Sequence, residues 1–154
     1  MPDHVYTVRI LVCILLSSAI AMPAAAGFTE QGDIVFDDQQ GVYWQRRPPD
    51  RNSDGHIDRH DRWTWQEAGA YCQSLDLGGH EDWRLPSYEE LETLVDYTTH
   101  SPAIDAAFAS NNGLYWTLSE LAEDQDKIWA VSFQFGDDYV VHKDSRNFVR
   151  CIRP

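Results

Sequence analysis

Basic residues are scarce in this chain. Twelve Lys and Arg stand against 25 Asp and Glu, a formal net charge of −13 over 154 residues. So acidic a surface repels phosphate backbones, which argues against nucleic acid as a partner and disfavours sulfated glycans unless a cation bridges them. Catalytic signatures are missing too. Ser119 has no G-x-S-x-G context, no Ser-His-Asp order is evident, and no two carboxylates are set apart as acid and base. The chain therefore reads as a non-enzyme, with a hydrolase as the weaker alternative. No internal repeat or low-complexity tract occurs, and the length suits one domain with a proper core.

Long apolar runs are confined to the N-terminus. Arg9 precedes Ile10 to Leu16, and Ala24-Ala25-Ala26 offers a small-residue cleavage site before Gly27. Residues 1–26 are thus expected to be a signal peptide. No charge falls between Ile10 and Phe28, but Pro23 and the Ala/Ser/Gly-rich second half make a poor spanning helix. The expected location is exported (periplasmic, cell-surface or secreted), with no stable membrane insertion after cleavage. Cysteine is sparse as well. Cys13 lies in the middle of the apolar run and leaves with it, so Cys72 and Cys151 remain. An even count in an exported chain suggests a bridge, two unpaired buried thiols being the alternative.

The chain is organised around Trp63 to Pro86. Thr64 and Glu67 form a capping box, and Trp65, Ala68, Cys72 and Leu75 give the following helix one apolar face. Gly78-Gly79 is expected to end it. A second capping box, Ser87 to Glu90, opens a helix with Leu91, Leu94 and Val95 on its buried side.

Around these helices the pattern predicts strands. Residues 33–37 and 41–45 read as a hairpin, 114–118 as a strand, and 120–126 as an acidic loop. Residues 128–135 alternate, placing Trp129, Val131, Phe133 and Phe135 on one face. Residues 139–143 and 147–153 complete the set, the last with Val149 and Cys151 on one face. Ile104 and Phe108 are expected to plug the core from a loop around Pro102. Short connections imply antiparallel pairing, because parallel strands need long crossovers. Tyr115, Trp116 and Trp129 read as core rather than as a sugar-stacking platform.

Residues 50–61 are the most chemically specific stretch. Asp stands at loop positions one, five, nine and twelve, Asn at three, Gly at six and Ile at eight. This is the ligand alternation of an EF-hand calcium loop. The expected ligands are Asp50, Asn52, Asp54, the His56 carbonyl, Asp58 (directly or through water) and Asp61, around a structural Ca2+. Position twelve is Asp rather than Glu, Pro48-Pro49 forbids a normal entering helix, and Arg62 stands where an apolar residue usually follows. His56 and His60 lie four apart, but inside an oxygen-ligand loop they make zinc the weaker reading.

The segments W-T-W-Q-E-A-G-A-Y-C, D-W-R-L-P-S-Y-E-E-L, L-Y-W-T-L-S, I-W-A-V-S-F-Q-F-G and F-V-R-C-I-R carry a family resemblance. In order and spacing, from about Asp33 to Pro154, they resemble the bacterial Lcl C-terminal domain family (DUF1566). That family is similar to the C-type lectin-like fold. The resemblance implies an α+β domain with two helices packed on a twisted antiparallel sheet and paired chain ends. It also implies a bridge from a first-helix cysteine to one in the last strand, the positions of Cys72 and Cys151. The E-P-N, Q-P-D and W-N-D triplets of calcium-dependent sugar binders do not occur, so sugar binding does not carry over. Formylglycine-generating enzymes, similar in fold, need reactive cysteines that this chain cannot spare. The resulting expectation is a disulfide-bridged, calcium-stabilised recognition module holding a protein or glycan on the loop-rich face between Tyr97 and Asp126. The alternative is a structural envelope domain without a small ligand.

Overall fold

The computed structural model describes residues 27–154, so the expected leader at 1–26 lies outside the described residues. Two antiparallel sheets and two helices make an α+β domain. The first sheet holds β1 (Phe28–Gln31), β2 (Ile34–Asp37), β3 (Val42–Gln45) and β7 (Ile152–Arg153), in that spatial order. The second is β4 (Leu114–Leu121), β5 (Asp124–Ser132) and β6 (Asp138–His142). Helix α1 is Trp65–Gln73 and α2 is Tyr88–Glu92.

The expected single sheet is thus divided in two. The C-terminal strand does return to the N-terminal region, but its partner is β3, with Trp44 opposite Ile152. A parallel bridge, Tyr115 to Phe148, joins β4 to the segment that leads into β7.

Alternation along the chain splits the core into two clusters. Neighbouring residues on an extended segment point to opposite sides. Tyr115, Phe148 and Ile152 therefore join one cluster with Val35, Trp44 and Phe133. Trp116, Val149 and Cys151 join the other with Ala68, Cys72 and Trp83. Ile104 and Phe108 fill the first cluster from their loop, each 4% exposed. Tyr115 and Trp116 are buried as expected, while Trp129 is only half-buried.

Four local expectations are corrected. Helix α1 stops at Gln73, where the Ser74 N–H turns back to the carbonyls of Ala70, Tyr71 and Cys72. Gly78 and Gly79, both at positive φ, instead turn the chain between the bridged residues Leu77 and His80. Residues 120–126 are a hairpin rather than an acidic loop, since β4 runs on to Leu121 and β5 begins at Asp124. Phe135 falls beyond β5, and at 57% exposure it leaves the apolar face that alternation assigned to it. The regular part of the last strand shrinks to two residues.

Both capping boxes form. Thr64 accepts from the Glu67 N–H while Glu67 accepts from Thr64, and Ser87 and Glu90 do the same. Glu90 also binds Arg84 through both oxygens, at 2.8 and 2.7 Å. Arg84 in turn pairs with Ile152 through backbone bonds of 2.9 Å in each direction. The D-W-R-L-P linker thereby ties the start of α2 to the end of the chain. Cys72 and Cys151 are disulfide-bonded across a separation of 79 residues. Closing so long a loop restricts the unfolded chain enough to stabilise the domain by about 4–5 kcal/mol in the chain-entropy model.

Arg150 is the least expected core residue. It is fully buried, and among the described residues no carboxylate pairs with it. Its guanidinium donates to the carbonyls of Gln45 (2.6 Å), Arg46 (2.7 Å) and Ala109 (2.8 Å), and it lies 4.9 Å from the Phe108 ring. Arg150→Met should lower stability by about 3 kcal/mol or more, because three carbonyls lose a charged donor. Arg150→Lys should fall only part-way short of wild type, one ammonium being unable to span all three. Urea unfolding of the three proteins checks the order; equal midpoints would mean that the clamp contributes nothing.

Candidate functional site

The stretch between β3 and α1 is short of regular structure because its side chains cap its own backbone. Asp50 accepts from the N–H groups of Asp54 (3.3 Å) and Gly55 (2.7 Å). Asn52 accepts from the Asp54 N–H at 3.2 Å and donates its amide to the Asp54 carboxylate at 2.8 Å. Asp54 accepts from the His56 N–H at 2.9 Å. Gly55 takes φ of 84°, which suits the sharp turn expected at loop position six. Loop positions one, three and five are thereby drawn together.

Positions nine and twelve are used differently. Asp58 caps a 3₁₀ turn at Arg59–Asp61, accepting from the His60 N–H at 2.7 Å and facing its ring nitrogen at 2.9 Å. That N–H, with the neighbouring His60 and Arg59 charges, holds the Asp58 carboxyl below its ordinary value. Asp61 is fully buried. It accepts from the N–H groups of Arg51 (2.7 Å), Asn52 (3.4 Å) and Asp58 (2.8 Å), so its carboxylate closes the loop on itself.

Of the six expected ligands, Asp50, Asn52 and Asp54 gather at one end of the loop. Asp58 and Asp61 are engaged with backbone at the other, and His56 is exposed on the connecting turn. Among the described residues, no group of three or more His, Cys, Asp or Glu side chains is placed to hold a metal ion. The loop chemistry remains that of a hard cation, with oxygen donors throughout. His60 is turned to Asp58 and not to His56.

The loop is anchored to the core by residues that the EF-hand pattern does not contain. Arg51 grips Glu67 through both oxygens, at 3.1 and 2.9 Å, and lies over the Trp63 ring at 4.6 Å. Arg146 reaches the same carboxylate at 3.3 Å. The Asn111 amide holds the Ile57 carbonyl. Nothing in the sequence pairs Arg51 with a helix cap sixteen residues later.

The face expected to hold a ligand mixes core residues with exposed ones. Between Tyr97 and Asp126, Ala103, Ile104, Ala107 and Phe108 are buried, and Tyr97 stands out at 68% exposed. The Ser119 hydroxyl accepts from the Tyr88 N–H at 2.9 Å.

Arg51 first, and the Thr64 N–H second, lower the Glu67 carboxyl from 4.5 to about 2. A depressed folded-state value means that the stabilisation is fully present above the unfolded value and is lost as pH falls through the folded one. Between pH 4.5 and about 2, wild type should therefore lose stability faster than Glu67→Gln. Urea midpoints of both proteins across that window check it; parallel curves would detach the Arg51–Glu67 contact from stability. Glu67 is close to solvent, so the difference should shrink in high salt.

No match to the chain is found among the curated proteins. The family model for the Lcl C-terminal domain matches residues 33–153, a span that takes in the bridged cysteines, both capping boxes and the anchored loop. The chain belongs to the Lcl C-terminal domain family.

Proposed function

We propose that the protein is an exported recognition module, C-type lectin-like in architecture, acting at the bacterial envelope or exterior without catalysis. The observation that carries this reading is where its exposed large apolar side chains lie. Among the described residues Tyr97 (68%), Phe135 (57%), Tyr139 (47%) and Val140 (37%) belong to β6, the turn before it and the segment after α2, and Leu118 (42%) stands apart on β4. Exposed apolar side chains concentrated in one part of a surface mark interaction sites, whereas single scattered ones do not. A bridge from the first helix to the C-terminal segment supports the lectin-like comparison and suits an oxidising compartment. Among the described residues no helix is long and apolar enough to cross a membrane.

A glycan and protein array separates this reading from a purely structural envelope domain. Binding to a discrete ligand class, weakened at least about tenfold by Tyr97→Ala with Phe135→Ser, is the expected outcome. An array without specific binders favours the structural domain, and turnover in a broad hydrolase screen would overturn the non-enzymatic reading.

The proposal includes a structural calcium ion at the 50–61 loop. The convergence of Asp50, Asn52 and Asp54 supports it, because the Asp50 and Asp54 carboxylates repel one another unless a cation offsets them, and the Asn52 carbonyl adds a neutral oxygen. At a calcium concentration about a hundredfold above Kd, the melting temperature should rise by roughly 5–10 °C over chelator. Asp50→Ala with Asp54→Ala should abolish that rise. Asp61→Ala should cost about 2–3 kcal/mol even in chelator, since it unmakes bonds to backbone N–H groups. Equal melting in calcium and chelator, with no heat of binding at millimolar calcium, would reduce the loop to an acidic turn.

A further inference from the structure

The outer side of β6 is an open edge. In the order β4-β5-β6 it is terminal, and among the described residues only β5 pairs with it along its length. An open edge presents alternate N–H and C=O groups to any extended chain that reaches it, and natural edges are usually blunted by Lys, Pro or a bulge. Asp138–His142 contains none of these. Its central residues are apolar and exposed, Tyr139 at 47% and Val140 at 37%.

Beside the edge lies an aromatic surface. Trp129 is opposite Val140 and Val131 opposite Asp138, so Trp129, Val140 and Asp138 share one side of the sheet. The Tyr88 ring of α2 covers that side 5.6 Å from Trp129. Tyr97 closes the far margin, donating its hydroxyl to Glu92 at 3.4 Å. Gly136 lets it settle there: a Cβ at this residue would stand 2.6 Å from Val95 and 3.3 Å from the Tyr97 ring. Desolvation first, then the charges of Glu92 and Asp138, raise both tyrosine hydroxyls above their ordinary value, which places those carboxylates beside the rings.

The charge of this region is one-sided. Between residues 85 and 142 there are eleven acids and a single base, Lys127, which is held by Asp124 at 3.1 Å. Lys143, just past β6, is turned to Glu120 at 2.7 Å and the Trp65 ring at 4.4 Å. Among the described residues Glu89, Glu92, Asp137 and Asp138 make no ion pair. Aromatic faces interleaved with unpaired carboxylates suit the ammonium of Lys or the guanidinium of Arg, which gains from both at once.

We propose that β6 takes an extended, Lys- or Arg-bearing polypeptide segment as an added strand, with its cations on the Tyr88–Tyr97–Asp138 surface. This rests on the recognition reading above and names the partner's chemistry. A strand places every second side chain on one face, so the cations belong at alternate positions of the segment.

The test is fluorescence anisotropy with a short labelled peptide alternating Lys and Val. Its comparisons are a Glu/Val counterpart and a Lys/Val peptide N-methylated at alternate residues. The Lys/Val peptide should bind and the Glu/Val peptide should not. Glu92→Gln with Asp138→Asn should weaken binding at least about tenfold, and Tyr97→Ala by about threefold to tenfold. N-methylation should weaken it comparably, because it removes half of the ladder while keeping the charge. Asp76→Asn with Glu81→Gln, on exposed residues beside Gly78-Gly79, should leave binding unchanged. An equal loss in that control would mean non-specific attraction to net charge and overturn the proposal. Undiminished binding of the N-methylated peptide would overturn the added strand. Failure of the Lys/Val peptide, alongside specific hits on the array, would sink this proposal and spare the recognition reading.

Discussion

A fully buried guanidinium without a carboxylate is the constraint around which this domain closes. Desolvation pushes the Arg150 guanidinium below its ordinary value, yet its charge is accommodated by carbonyl dipoles from the end of β3 and from Ala109. An unsatisfied buried charge would cost several kcal/mol. The end of β3, the loop carrying Phe108 and the C-terminal segment must therefore be in place together. On either side of Arg150, Val149 and Cys151 enter one cluster while Phe148 and Ile152 enter the other. One short segment locks both half-cores, and the bond to Cys72 fastens it to α1.

The residues that carry the family resemblance mostly perform this closure. Glu67 caps α1 and holds Arg51; Glu90 caps α2 and holds Arg84; the Trp116 indole donates to the Trp63 carbonyl at 2.7 Å. They specify a scaffold. Exposed apolar side chains lie on β6 and the segment following α2, and also at Phe135 inside one of the resemblance segments.

The 50–61 loop shows how one sequence pattern can serve two physical ends. Acidic residues at alternate positions suit a hard cation, and the same residues accept backbone N–H groups in successive turns. Asp61 follows the second course in this structure, holding three N–H groups from within the domain. The loop's lower end is consequently set by hydrogen bonds to Asp61 and by Arg51 over Trp63.

The sequence by itself determined the capped helix starts, the alternating strands and the acidity, because each depends on residues within a few positions of one another. Thr64 with Glu67 and Ser87 with Glu90 are complete signals at a spacing of three. Tertiary structure alone decided where α1 stops, since Gly78-Gly79 permits a left-handed turn but does not say whether it ends a helix or joins a bridge. It decided that Phe135 leaves the strand and that the strands form two sheets, because register across distant segments leaves no local mark. It also decided the positions of Arg150 and Arg51. A basic residue in an alternating segment reads as solvent-facing, and only the three-dimensional approach of carbonyls from residues 45, 46 and 109 makes the interior the better place for Arg150.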